Sequence, residues 1–328
     1  MAEITYREAL NQAIAEEMER DDQVFIMGEE VAQYQGAYKV TQGLMERFGD
    51  RRVIDAPITE AGFVGLGIGA ANVGMKPIIE VMTFNFAILT LDQVINNMAK
   101  FRHMSGGKLE TPMVLRGPGG AGGGLACQHS QSLEAQYVHI PGLKVVMPGT
   151  PYDAKGLLKS AVRDPDPVIF IEAEKLYNMK GEVPEEEYLL PIGKADIKHS
   201  GDDVTIITWS RMLTHAVLPA VETLEGEDGI SVEVIDARTL SPLDWDTILD
   251  SVKKTNRVVI VEEGWPKASV GAWIACEISN RAFDYLDAPI ERVNQEDVPL
   301  PYAINLEELS IPSPKRVVEA VRKVCYND

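Results

Sequence analysis

The chain has 328 residues, a formal net charge of −19, 45% hydrophobic residues and 25% charged ones. At roughly 100–200 residues per domain it is long enough for two, with the composition of an ordinary globular protein. No run approaches the roughly 18 apolar residues that cross a bilayer, and the acidic balance argues against a nucleic-acid surface, so neither membrane nor nucleic acid is an expected partner.

The opening residues Met1-Ala-Glu-Ile-Thr-Tyr-Arg-Glu8 have neither the basic start and apolar core of a secretion signal nor an Arg-rich, acid-poor transit composition, and the mature chain is expected to begin here. Thr5 and Glu8 have capping-box spacing and predict an amphipathic helix to about Arg20, followed by a strand at 24–27. Apolar strands at 113–115, 143–147 and 168–172 then alternate with helices over 91–104 and from Pro151 to about Val162, the second capped by Thr150. The acidic stretch 180–188 is broken by Gly and Pro and has no apolar face, so it reads as the boundary between a domain over 1–190 and another over 191–328. The second repeats the alternation, with strands at 204–208, 232–235 and 257–261 and helices around 215–224, 244–255, 270–286 and 314–324. Such alternation predicts an α/β chain of two doubly wound parallel-sheet domains. Cys127, Cys276 and Cys325 are far apart and lack metal-ligand spacing, which suits a reducing, cytoplasmic compartment.

Two segments carry chemistry. Glu60 opens a small-residued helical stretch in which Gly62, Gly65 and Gly69 recur at about helical spacing, a pattern that calls for close packing to offset the cost of glycine. Read alone, Glu60 is equally a helix-start acid favoured by the helix dipole. His129 follows a loop, 117–124, with six glycines in eight residues, where the backbone is free to approach a ligand. Neither segment ends in Gly-Lys-Ser/Thr, and the first lacks the full dinucleotide fingerprint, so both are poor nucleotide cradles.

Read together, Gly28-Glu-Glu-Val-Ala-Gln-Tyr-Gln-Gly-Ala-Tyr-Lys-Val40, the Glu60 segment, Glu80-Val-Met-Thr-Phe-Asn-Phe86, Gln128-His-Ser-Gln131, Gly264-Trp-Pro266 and Asp297-Val-Pro-Leu-Pro-Tyr302 resemble one family closely. It is the beta subunit of the pyruvate dehydrogenase decarboxylase component, a thiamine-diphosphate enzyme of transketolase-like architecture, and the resemblance runs from about Ile4 to the end. It implies a pyrimidine-binding domain followed by a transketolase C-terminal domain, and oxidative decarboxylation of pyruvate with acetyl transfer to a lipoyl group.

By the same resemblance, Glu60 hydrogen-bonds the pyrimidine ring nitrogen of thiamine diphosphate and His129 serves substrate orientation or transfer to the lipoyl sulfur, while Glu29, Ile58, Met82 and Phe86 complete the cofactor side. Glu29 near Glu60 would let the two carboxylates perturb each other's protonation. The Gly-Asp-Gly motif with a trailing Asn is absent, so the Mg2+ and diphosphate ligands are expected on an alpha subunit and the enzyme to be an α2β2 heterotetramer. The resemblance further implies potassium at Met113, Ala161, Val162, Asp164 and Asp166, with Asp166 standing where many relatives have Asn. It also implies docking of the acyltransferase component through its small binding domain and its lipoyl domain. The alternatives are the branched-chain 2-oxo acid and acetoin counterparts and a scaffold that has lost catalysis; the 32–38 and 82–86 stretches look more like the pyruvate type.

Overall fold

Thr5 accepts the backbone N–H of Glu8 at 3.2 Å while the Glu8 carboxylate accepts the Thr5 N–H at 2.7 Å, the reciprocal pair that the spacing predicts. The helix it opens, Tyr6–Arg20, buries Tyr6, Leu10, Ile14 and Met18 four residues apart along one stripe. In the computed structural model, which describes Met1–Asn327, the chain divides into two compact units. One is Met1–Gly119 with Gln136–Ile192; the other is Gly120–Ala135 with the chain from Gly193 on. The glycine-rich stretch is therefore divided: residues 117–119 end a strand of the first unit, and the loop from Gly120 on groups with the second although it lies inside the 1–190 segment.

The first unit contains β1 (Ala2–Thr5), β2 (Val24–Gly28), β3 (Val53–Asp55), β4 (Lys76–Glu80), β5 (Val114–Gly119), β6 (Lys144–Val146), β7 (Val168–Ala173) and β8 (Lys180–Val183). Its main sheet runs β6-β7-β5-β4-β2-β3, every pair parallel. The stretch read as a plain boundary is in part β8, which pairs antiparallel with β1, Ala2 opposite Val183. That pairing is invisible locally because β8 has one buried side chain, Val183, and takes its order from a strand at the other end of the unit. The expected helix over 91–104 is helical in pieces: Gln93–Met98 is a π-helix, with the Ala99 N–H donating to Val94 five residues back at 3.0 Å, and Phe101–Met104 is α-helical.

The second unit contains β9 (Asp196–His199), β10 (Val204–Thr208), β11 (Val232–Asp236), β12 (Thr239–Ser241), β13 (Val258–Val261) and β14 (Glu291–Val293). Its sheet order is β14-β13-β10-β11-β9, parallel except for β9, which runs antiparallel to β11 along the edge. The purely parallel second sheet expected from the sequence is thus corrected by one polar edge strand, Asp-Ile-Lys-His, too short to show a period. Helix Pro314–Cys325 buries Val317, Val318, Val321 and Val324 in a core with Val204, Val232 and Val259.

One buried ion cluster ties the first sheet together. Arg116 on β5 is 1% exposed; its Nε donates to Glu172 Oε1 on β7 at 2.5 Å, and its terminal nitrogens reach Glu172 and Glu80, the last residue of β4. The Tyr177 hydroxyl donates to the second Glu172 oxygen at 2.7 Å. Burial works against the guanidinium charge, but Glu172 and Glu80 override it and hold Arg116 protonated. Replacing Arg116 by Met would strand two buried carboxylates and should lower the unfolding free energy by about 3–5 kcal/mol, read as a fall in the urea midpoint. An unchanged midpoint would mean that the cluster is dispensable.

Candidate active site

Three neighbouring strands, β4, β2 and β3, deliver the expected residues from their carboxyl ends, where open α/β sheets bind ligands. Glu29 follows β2, Glu60 begins the helix after β3, and Met82 and Phe86 follow β4. Gly28 fixes the exit of β2: a Cβ there would lie 2.4 Å from the Glu80 carbonyl oxygen, so only glycine brings the two strand ends this close. Asp55, the last residue of β3, accepts the N–H groups of Ala32 at 2.7 Å and Gln33 at 3.2 Å, which anchors the loop carrying Glu29.

Glu60 is the first residue of helix Glu60–Asn72, and its N-cap Thr59 makes no side-chain cap bond. Glu60 and Glu29 are each 7% exposed, and Glu29 Oε1 is buried with no hydrogen-bond partner among the described residues. Desolvation, and then the charge of Glu60, push the Glu29 carboxyl above its ordinary range. The pair is therefore brought together as the sequence reading expects. Its orphaned oxygen and adjoining acid can hold and pass one proton.

Thr83 caps the short helix Phe84–Ala87. Phe84 packs edge-on against Tyr137 with centroids 5.5 Å apart, which leaves Phe86 and Met82 half-buried beside the strand end. Ile58, in contrast, is 85% exposed and is not enclosed by this chain. The glycines of the Glu60 helix do not all do what their spacing suggests. A Cβ at Gly69 would meet nothing within 4 Å, whereas one at Gly67 would come within 2.6 Å of Ile79 on β4, so Gly67 is the residue that lets the helix seat on the sheet.

His129 lies in the second unit, exposed, at the end of the one-turn helix Cys127–His129. The loop leading to it spends its amides on its own chain. The Ala121 N–H goes to Glu263, and the N–H groups of Gly123 and Gly124 go to the two oxygens of Glu307 at 2.9 and 2.8 Å. That engagement agrees with the rejection of a phosphate cradle. Nearby in the same unit, Glu134 is buried with Oε2 unpartnered among the described residues. Its carboxyl is pushed up to about 8 by burial and then by the charge of Glu262. No feature of the sequence marked Glu134, Glu263 or Glu307 as different from other acids of the chain.

Of the residues expected to hold potassium, Met113, Ala161 and Val162 are buried, and Asp164 and Asp166 come together beyond helix Pro151–Arg163. Lys144 Nζ donates to both Asp164 oxygens at 2.6 and 2.7 Å, and Asp166 pairs with Arg102. Among the described residues no group of three or more His, Cys, Asp or Glu is placed to hold a metal. Any cation here would rely on the carbonyls. Those of Met113 and Ala161 each accept one backbone bond, from Val168 at 2.9 Å and Asp164 at 3.3 Å, and each keeps a second lone pair.

Comparison with known proteins bears on what this arrangement serves. The family model described as "Transketolase, pyrimidine binding domain" matches residues 2–180, and "Transketolase, C-terminal domain" matches 193–317. The chain is 57% identical over 99% of its length to "Pyruvate dehydrogenase E1 component subunit beta" of Rhizobium meliloti, covering 71% of that protein. It is 58% identical to the protein of the same name from Rickettsia felis, covering 99% of both. Among solved structures, "Split gene transketolase, inactive beta4 tetramer" superposes with a TM-score of 0.81 over 98% of each chain at 22% identity, a likeness of fold.

The buried Glu134 generates a prediction with a definite sign. Its folded-state pKa, about 8, lies above the ordinary 4.5, so the folded state holds a proton that the unfolded chain releases. The stability this contributes is full below about pH 4.5 and is lost as pH rises through about 8. Urea unfolding across that range should show stability falling more steeply for the parent chain than for Glu134→Gln; parallel profiles would refute the assignment.

Proposed function

Because the chain belongs to the family of pyruvate dehydrogenase E1 component beta subunits, we propose that Glu29, Glu60, Met82 and Phe86 form the pyrimidine side of its thiamine diphosphate site. The activity is oxidative decarboxylation of pyruvate with acetyl transfer to a lipoyl group, carried out together with an alpha subunit. The observation that carries the site assignment is the buried Glu29–Glu60 pair with its unpartnered oxygen, at the carboxyl ends of adjacent parallel strands.

Thiamine diphosphate, when bound, supplies the electron sink for decarboxylation. The residues present fit its pyrimidine. Glu60 offers a desolvated carboxylate to a ring nitrogen, and such a charge-assisted bond is about twice as strong as a neutral one. Glu29, whose carboxyl burial and Glu60 hold toward the protonated form, stores the proton that Glu60 gives up or takes back. Phe86 and Met82 present an aromatic face and a thioether to a flat ring, while Ile58 remains open to be covered by a partner. His129, exposed on its loop, is assigned to the second half-reaction, where its imidazole would donate a proton to a lipoyl sulfur.

The missing Gly-Asp-Gly motif supports placing Mg2+ and the diphosphate ligands on the alpha subunit, in an α2β2 assembly. The acidity of the chain supports docking of the acyltransferase component's small binding domain on the region from 192 onward by charge complementarity, with its lipoyl domain visiting the site. Three free cysteines suit a cytoplasmic setting. The names of the similar proteins favour pyruvate over the branched-chain and acetoin readings, and retention of the carboxyl pair argues against a silent scaffold.

Two measurements check this reading. With the alpha partner present, Glu60→Gln should leave the assembly intact and slow pyruvate decarboxylation on the order of ten- to a hundredfold, the worth of one charged hydrogen bond. Turnover near the parent value would reduce Glu60 to a structural acid, and equal turnover of branched-chain acids by the parent would displace pyruvate. For potassium, the last-turn carbonyls of Ala161 and Val162 beside Asp164 make an electronegative spot that suits a monovalent cation. The melting temperature should therefore be higher in potassium chloride than in choline chloride at equal ionic strength, and identical values would remove the ion.

A further inference from the structure

We propose that Glu307, with Glu263 beside it, is a positioning residue that clamps the glycine-rich loop and so fixes His129; the proposal rests on the role given to His129 above. The loop is closed at its base, where the Gly120 N–H donates to the Gln131 carbonyl at 2.9 Å. Between those points the amides of Ala121, Gly123 and Gly124 need acceptors, and two carboxylates take them. Glu307, 2% exposed on helix Ile304–Ser310, accepts the N–H groups of Gly123 and Gly124 with one oxygen each. Glu263 accepts the Ala121 N–H, while Arg211 bridges the same two elements, its Nη1 donating to the Ala121 carbonyl at 2.8 Å and its Nε lying 3.6 Å from Glu263.

The glycines are what make this geometry available. Gly120, Gly123 and Gly124 have φ of +80°, +91° and +85°, a region that L side chains rarely adopt. A Cβ at Gly120 would lie 2.6 Å from Glu263 Oε1, and one at Gly124 would lie 3.1 Å from Ile304. The run of glycines is thus shaped to wrap carboxylates of its own chain rather than an external phosphate. Two carboxyl acceptors on a short closed loop leave little freedom to Leu125–His129, which follow the last clamped amide. Ala126, at φ +66°, is held in the same left-handed region without being a glycine, as an over-determined backbone allows.

The test uses the assembled enzyme with its alpha subunit. Glu307→Gln keeps the size of the side chain but offers one acceptor where two amides need one each. Transfer of the acetyl group to a lipoyl domain should fall about tenfold, while decarboxylation with an artificial electron acceptor falls less and the KM for pyruvate holds. Combined with His129→Ala it should add no further loss, because both act through the same imidazole. Amide hydrogen exchange over 120–131 should accelerate in Glu307→Gln and stay at the parent rate in Glu308→Gln, an exposed neighbour. Losses that multiply with His129→Ala, or unchanged exchange in Glu307→Gln, would overturn the proposal. If His129→Ala by itself leaves transfer intact, the role of His129 fails, while the exchange rates still decide whether Glu307 holds the loop.

Discussion

Arg116 lies inside the first sheet, 1% exposed, and its charge is sustained by Glu80 on one side and Glu172 on the other. Three adjacent strands are joined by this arrangement at the height where β4 ends. Glu80 is also the residue against which Gly28 packs, so the loop bearing Glu29 and the segment bearing Met82 and Phe86 leave the sheet from one fixed place. An ion cluster of this kind adds little net stability compared with an apolar replacement of all three members, but removing one member is costly. Its consequence here is geometric: it pins the strand ends that carry the proposed site.

Acidity in this chain is more than a solvated surface. Buried carboxyls recur, and the structure answers each in a different way. Glu172 and Glu80 have a cation. Glu307 has backbone amides, which satisfy a carboxylate without adding a positive side chain, and the partly buried Glu263 has both an amide and Arg211. Glu29 and Glu134 have neither for one of their oxygens among the described residues, and burial raises both toward the protonated form. Of these two, Glu29 stands beside Glu60, in the pair proposed above for the pyrimidine side of the cofactor site. Glu134 stands with Glu262, where a retained proton spares two buried like charges.

What the sequence by itself determined is what depends on near neighbours. The Thr5–Glu8 box, the stripe of Tyr6, Leu10, Ile14 and Met18, the apolar runs of β7, β10 and β13 and the position of Glu60 at a helix start are set by residues within a turn or two, and all were legible. The family was legible too, because several motifs point to it together. Tertiary structure alone decided which distant residues meet. Arg116 finds its partners 36 and 56 residues away, and β8 finds its ladder at the other end of its unit. Gly67 rather than Gly69 faces the sheet because the helix is rotated to bury Phe63, Val64 and Ile68, a choice that glycine spacing does not encode. Glu307 resembles its exposed neighbour Glu308 in every local respect; it becomes a clamp only because the folded second unit brings the glycine loop's amides to it, and an unpaired N–H inside a protein must find an acceptor.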